Sequence, residues 1–281
     1  MSEFDLSAFP VGHTTMVQLG AYIAIVSFIW WLEWRAFATS LRGKWKHSTV
    51  NLLFMASALP IQIATSLIAI RIGTWTEAHD WGLFPLLPGT SNLWFQIGLA
   101  LLMFDFLDYI YHSTVHRVPF LWRFHLVHHS DLALDVSTTV REHPADTVFR
   151  NSFMLFCFFM SGASIEALLM WQIAAALSNL LAHTPFRLPY WPNRVISWVF
   201  TTPNLHHVHH HFRQPHTDRN YGNVFSLWDR MFGTLTSLPP GGPVFGVDTH
   251  MDEALTGSYA RMMVSPLRPA PALQAETAST P

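Results

Sequence analysis

Seventeen histidines in a chain of 281 residues outnumber its 16 lysines and arginines taken together. More than half fall in three groups: His112-Ser-Thr-Val-His116, His125-Leu-Val-His128-His129 and His206-His207-Val-His209-His210. Positions i, i+3 and i+4 of a helix share one face. That spacing brings His112 and His116 together, then His125, His128 and His129, then His206, His209 and His210. It turns His207 and His211 away. Neutral imidazole is a ligand for iron, zinc, copper and nickel. Eight imidazoles on three short faces are more than one ion needs and suit two. Without metal they would be poor neighbours, repelling when protonated and lacking hydrogen-bond partners when buried. A single HxxxH carries little information, but two HxxHH groups beside it in one chain are specific.

Two other chemistries fit less well. The groups hold no acidic residue and no His-Glu-x-x-His, so a zinc hydrolase would lack its general base. A metal- or haem-binding membrane protein without catalysis is the alternative from another class, but haem would use one or two axial histidines and leave the rest idle.

The elements that must position these groups are apolar. Half of the residues are hydrophobic and 12 % are charged, against about a quarter charged in soluble domains. The formal charge of −2 gives no reason to expect nucleic acid. Apolar runs cover 16–34, 50–70 and 93–110, and 50–70 carries no charge at all. About 20 such residues span a bilayer core. Pro60 is a potential kink. Two shorter runs, 148–160 and 165–181, flank Ser161-Gly162-Ala163-Ser164 as a hairpin that either spans or dips into the membrane. The expected fold is therefore all-α, with about four or five membrane helices and a histidine-rich cap. Arg35, Arg42, Lys44 and Lys46 between the first two helices, with Arg117, Arg123 and Arg141 after the third, place the cap on the cytoplasmic side. No basic region precedes the first apolar run, so no cleavable signal is expected. Residues 1–264 read as one domain, and 265–281, rich in Pro, Ala, Ser and Thr, as a disordered tail. Cys157, the only cysteine, reads as a buried thiol. Trp122, Trp191, Trp198 and Trp228 are expected at headgroup level.

The stretch from His112 to Pro144, HSTVHRVPFLWRFHLVHHSDLALDVSTTVREHP, resembles the fatty-acid hydroxylase/sterol desaturase superfamily, whose pattern is HxxxH, HxxHH and a later HxxHH. The likeness continues through Thr202-Pro203, Asn220-Tyr221-Gly222 and Leu227 to Thr234, covering about 104–234. Ser113 departs from it where many relatives have Arg. The resemblance implies two non-haem irons that use dioxygen to attack a C–H bond of a lipid, with hydroxylation or desaturation as the outcome. It implies His112, His116, His125, His128, His129, His206, His209 and His210 as ligands, and adds His183 at the family's isolated ligand position. Asn179, four residues earlier, becomes a supporting candidate, as do Arg141 and His143 of the R-x-H-P element. Asp105, about two turns before His112, is expected to accept the second ring N–H of a ligand histidine. Asp229 and Arg230 are expected to pair across the cap. No flavin, haem or iron–sulfur motif occurs, so the electrons would come from a separate donor protein. A fatty acyl chain or a sterol-like substrate would need an apolar channel.

Overall fold

The computed structural model describes residues 13–37, 40–238 and 242–268, and these are helical with no strand beyond two isolated bridges. The long helices are α1 (His13–Ala36), α2 (Leu41–Ala78), α3 (Leu93–Arg117), α5 (Pro144–Ser161) and α6 (Ile165–Ala182). Between and after them lie α4 (Pro119–His129), α7 (Tyr190–Ile196), α8 (Pro203–His209), α9 (Leu227–Met231), α10 (Glu253–Thr256) and α11 (Tyr259–Val264). Three helices, α2, α3 and α6, are long and apolar enough to cross a membrane.

The first turns of α2 hold a surprise. Ser40 caps the helix by accepting from Gly43 N, so the helix begins at Leu41. Arg42, Lys44 and Lys46, expected in a loop, lie on its first turns. Its 38 residues run through Pro60 and reach roughly 57 Å, well beyond a hydrocarbon core of about 30 Å. The excess carries the start of α2 into the cap. There Lys44 Nζ bonds Glu33 and Asp135 at 2.7 and 2.6 Å. His47 bridges Asp131 and Asp135, and Asn51 bonds Asp131 and Ser137. The end of α1, the start of α2 and the 131–140 loop are thereby joined.

The long helices pack as α2 on α5 and α3 on α6. Their buried faces meet around Phe104, Phe158, Ala167, Trp171 and Ala175. Their outward faces stay apolar: Leu59, Ile63, Phe156, Leu169, Ile173 and Leu177 are exposed. An apolar surface of this extent belongs against lipid. At the end away from the histidines, Gly162 (φ +63°) closes the α5–α6 hairpin against the turn after α2. A Cβ on Gly162 would sit 1.8 Å from Trp81 O, and one on Gly82 would sit 2.4 Å from Gly162 N. Leu83 N and Trp81 Nε1 bond to Met160 O and Phe159 O across this seam.

Residues 265–267 form one 3-10 turn with Pro266 buried; the rest of the expected tail, 269–281, lies outside the described residues. Trp191 and Trp198 are exposed. Trp122 and Trp228 are engaged inward, Trp122 with its ring 4.7 Å from that of His116 and Trp228 donating to Asp105.

Candidate metal centre

The histidines are delivered by helix ends. His112 and His116 close α3, His125, His128 and His129 close α4, and His183 is the cap residue of α6. Thr202 and Pro203 start α8, whose seven residues carry His206 and His209 one turn apart, with His210 at its cap. The partial negative charge at a helix C-terminus favours cations, and here four such ends meet.

Two groups of ring nitrogens result. His112, His116, His125, His129 and His209 form one, and His128, His183, His206 and His210 the other; within each, the candidate ligand atoms lie within 4.8 Å of one another. All nine histidines implied by the sequence therefore come together, but the motifs are divided between the groups. His128 leaves its own cluster for the second group, and His209 leaves its cluster for the first. The rings of His129 and His210 stack 4.4 Å apart at 16°, linking the groups. His207 faces away and bonds Thr184 O at 2.8 Å.

The hydrogen bonds determine which nitrogen is free. Nδ1 of His112, His128, His183 and His209 bonds the carbonyls of Tyr221, Arg141, Asn179 and Arg219, at 2.8, 3.2, 2.8 and 2.7 Å. A carbonyl can only accept, so each Nδ1 carries the proton and each neutral ring keeps its lone pair on Nε2. Burial, reinforced by neighbouring imidazoles, holds His128, His129, His206, His209 and His210 well below the usual histidine pKa, and burial brings His183 to about 4. These rings are neutral at pH 7. Yet Nε2 of His209 lies 3.1 Å from Nε2 of His112, and Nε2 of His128 lies 3.1 Å from Nε2 of His183. Two lone pairs face each other across each contact. Nε2 of His116 and His125, both nitrogens of His129 and Nδ1 of His210 are buried without a partner. A cation between the facing nitrogens relieves the repulsion and gives His116, His125 and His129 a partner for one nitrogen each, so the donor set fits metal.

Two rings are oriented by carboxylates. Asp146 Oδ2 accepts from His125 Nδ1 at 2.8 Å and Asp218 Oδ1 from His116 Nδ1 at 3.1 Å. Such partners fix ring orientation and raise ligand basicity. Sequence reasoning missed both. An acidic and a basic residue, Asp146 and Arg150, one turn apart at the start of an apolar helix, were the available signal for the first. Asp218 offered none.

The expected supporting residues behave differently. Asp105 touches no histidine: it accepts from Val224 N, Phe225 N and Trp228 Nε1. Facing that loop rather than the rings, it pins the segment that begins with Tyr221, whose carbonyl holds His112. Asp229 accepts from Tyr221 N, Gly222 N and Thr234, while Arg230 donates to Ser197 O; the expected pair does not form. Arg141 is buried and bonds Val127 O, Asn51, Ser130 and Thr256 O, tying the end of α4 to α2 while its own carbonyl orients His128. His143 caps α5 through Ala145 N and bonds Met263 O, away from the nine rings. Asn179 reaches the centre through its carbonyl on His183.

A helical chain with apolar outer faces and two buried polyhistidine groups is a membrane protein able to bind metal. Residues 97–234 match the fatty acid hydroxylase family, and the chain belongs to that superfamily. It is 30 % identical to an ornithine lipid hydroxylase of Rhizobium tropici, over 68 % of this chain and 53 % of the relative. It is 31 % identical to an alkylglycerol monooxygenase of Caenorhabditis elegans, over 52 % of this chain and 28 % of the relative. A cholesterol 25-hydroxylase-like protein of Danio rerio is 26 % identical over 53 % of this chain and 58 % of its own length. The chain thus spans between 28 % and 58 % of the length of these relatives. No solved structure matches it.

Proposed function

We propose that this chain is a multi-pass, membrane-embedded diiron oxygenase that hydroxylates a lipid. The observation that carries the reading is the pair of Nε2–Nε2 contacts between rings whose protons are fixed on Nδ1. His112, His116, His125, His129 and His209 would hold one iron, and His128, His183, His206 and His210 the other. Iron so held supplies the activation of dioxygen. In balance, one oxygen atom enters a C–H bond to give an alcohol and the other leaves as water, using two protons and two electrons from a separate donor protein. The names of the relatives favour hydroxylation over desaturation, which would take the same two electrons and release two waters.

The chain's own residues do the positioning. Asp146, Asp218 and the carbonyls of Arg141, Asn179, Arg219 and Tyr221 hold the ring protons on Nδ1. Packing of α3 on α6 and of α2 on α5 keeps bulk water away from the rings. Purified protein should carry two irons per chain, show no haem Soret band, and transfer label from ¹⁸O₂ into a lipid alcohol when given a reductant. One iron at saturation would refute the diiron assignment, and label found only in water would refute hydroxylation.

The basic residues Arg35, Arg42, Lys46, Arg117 and Arg123 gather at the histidine end, which supports a cytoplasmic cap. In a Cys157→Ala background, a cysteine at exposed Gln214 should react only from the cytoplasmic side and one at exposed Ser91 only from the opposite side. The reverse pattern would invert the topology.

A further inference from the structure

The cavity that touches the histidine centre is not the apolar channel expected for an alkyl chain. It is lined by His112, His125 and His183 of the centre and by polar residues that include Asp108, Thr139 and Asn223. It measures about 80 Å³, room for about three waters and far below the 300–1,000 Å³ or so that enclose a whole ligand. A markedly apolar groove does exist, between Leu67, Ile68, Ile72, Trp75 and Phe159. It lies toward the opposite end of α2 and α5 from the histidines. The core of α3, α5 and α6 beyond the cavity is closed by Phe104, Phe158 and Trp171.

The walls are unevenly satisfied. Glu142 is matched by Arg150 at 2.7 Å and also accepts from Thr147. Both oxygens of Asp146 are taken, by Tyr111 and His125. Asp108 has a single bond, on Oδ2 from Asn223 Nδ2 at 2.8 Å, where Glu142 takes two on its Oε2. The other polar atom of that carboxamide, Asn223 Oδ1, is buried with no partner, and so is Thr139 Oγ1. A carboxylate on a membrane helix and two unpaired buried oxygens are costly unless something bonds them. Asn223 Oδ1 can only accept and lacks a donor, and the Thr139 hydroxyl is free to accept beside it.

We propose that the part of the substrate presented to the metals is the hydrogen-bond-donating headgroup end of a membrane lipid, and that Asp108, Asn223 and Thr139 select it. The proposal rests on the oxygenase reading and deepens it: the oxidised carbon lies in or next to the headgroup, and the tails stay in the bilayer along the exposed faces of the helices. An amine and a hydroxylated headgroup share the required chemistry. The small cavity admits either one and excludes a long methylene run.

The test uses the metal-loaded full chain in nanodiscs of phosphatidylcholine, whose trimethylammonium carries no N–H. These are doped with phosphatidylethanolamine in one arm and phosphatidylglycerol in another. Native mass spectrometry reads the lipid retained, and fragmentation of products reads where oxygen was added. At least one donor lipid should be retained about tenfold over the choline lipid, the worth of one charge-assisted bond. Preference for the ethanolamine lipid alone assigns an amine, for the glycerol lipid alone a hydroxyl, and for both any donor. Asp108→Asn should abolish the preference with the metal content unchanged. Should that variant fail to fold, Thr139→Val combined with Asn223→Ala tests the same acceptors. Equal retention of all three lipids would overturn the proposal, as would oxygen placed on a mid-chain carbon. Selective retention with no oxygenated product from any lipid would instead remove the oxygenase reading and leave headgroup recognition standing.

Discussion

Replacing Asp146 by Asn isolates what a single carboxylate does for the centre. The carboxamide has nearly the same shape, so packing at this buried position is preserved. Its oxygen can still accept from His125 Nδ1, where the carboxylate now sits at 2.8 Å, while its amine meets the Tyr111 hydroxyl that bonds the other oxygen at 2.8 Å. The charge is what disappears. A hydrogen bond to a charged group is worth about 1.5–3 kcal/mol and a neutral one about 0.5–1.5. The difference of roughly 1–1.5 kcal/mol corresponds to about tenfold in affinity. That is the low end of the 10–100-fold or so lost when the partner of a ligand histidine is removed. Anaerobic titration of metal-free protein with Co(II), followed by its visible absorption, reads the two sites separately. Binding at the five-histidine group should weaken about tenfold, with a smaller change at the four-histidine group, whose rings Asp146 does not touch. Tyr111→Phe, which removes the other bond and keeps the charge, should cost about threefold or less. Unchanged affinity in Asp146→Asn, or equal losses at both groups, would refute the role given to this carboxylate.

Other changes separate ligands from bystanders and site from scaffold. His209→Ala removes a ring whose Nε2 faces His112, so iron content should fall by about one ion per chain. His207→Ala removes a bond to Thr184 O and a buried ring packed against Phe245; it should keep both irons while costing about 2–4 kcal/mol of stability, and equal iron loss in the two folded variants would undo the ligand assignment. Gly162→Ala forces a left-handed backbone and drives a Cβ into Trp81 O. It should destabilise the fold by about 3 kcal/mol or more in thermal unfolding, with the iron content of the folded fraction intact. Burial alone would raise the Asp131 and Asp135 carboxyls, but His47 bonded to both holds them below the usual carboxylate range, helped at Asp131 by Arg141 and at Asp135 by Lys44. Depressed acids stabilise the fold fully above their unfolded value of about 4 and lose that contribution as pH falls below it. The melting temperature should therefore drop below about pH 4, and the gap between wild type and Asp131→Asn should narrow over the same range; a constant gap would show that the pair carries no linkage.

The sequence exposes what depends on helical period and on apolar length. The i, i+3, i+4 spacing places His206, His209 and His210 on the side away from His207, and the uncharged run 50–70 marks the centre of α2. It does not expose how a face is shared. His125 and His129 stand on one side of a seam and His128 on the other, because a face about 100° wide is broader than one metal's coordination sphere. Nor does it expose contacts made at long range by backbone oxygens. The carbonyls of Arg141, Asn179, Arg219 and Tyr221 fix four rings, and every residue type has a carbonyl. Asp105 was legible as a buried carboxylate in need of a partner but not as the anchor of a loop about 120 residues away. The length of α2 was hidden by its basic first turns, which read as loop until Ser40 is seen to cap them.

The two halves of the centre come from widely separated stretches of chain. His112 meets His209 across 97 residues and His128 meets His183 across 55, and neither group is complete until the segment around His206 to His210 has been made. By then α6 must already be in place, since its cap residue, His183, belongs to the four-histidine group. The centre can therefore be completed only after every long helix has been synthesised. A nascent chain stalled before α8 would present a metal ion with four of the five histidines of one group and two of the four of the other.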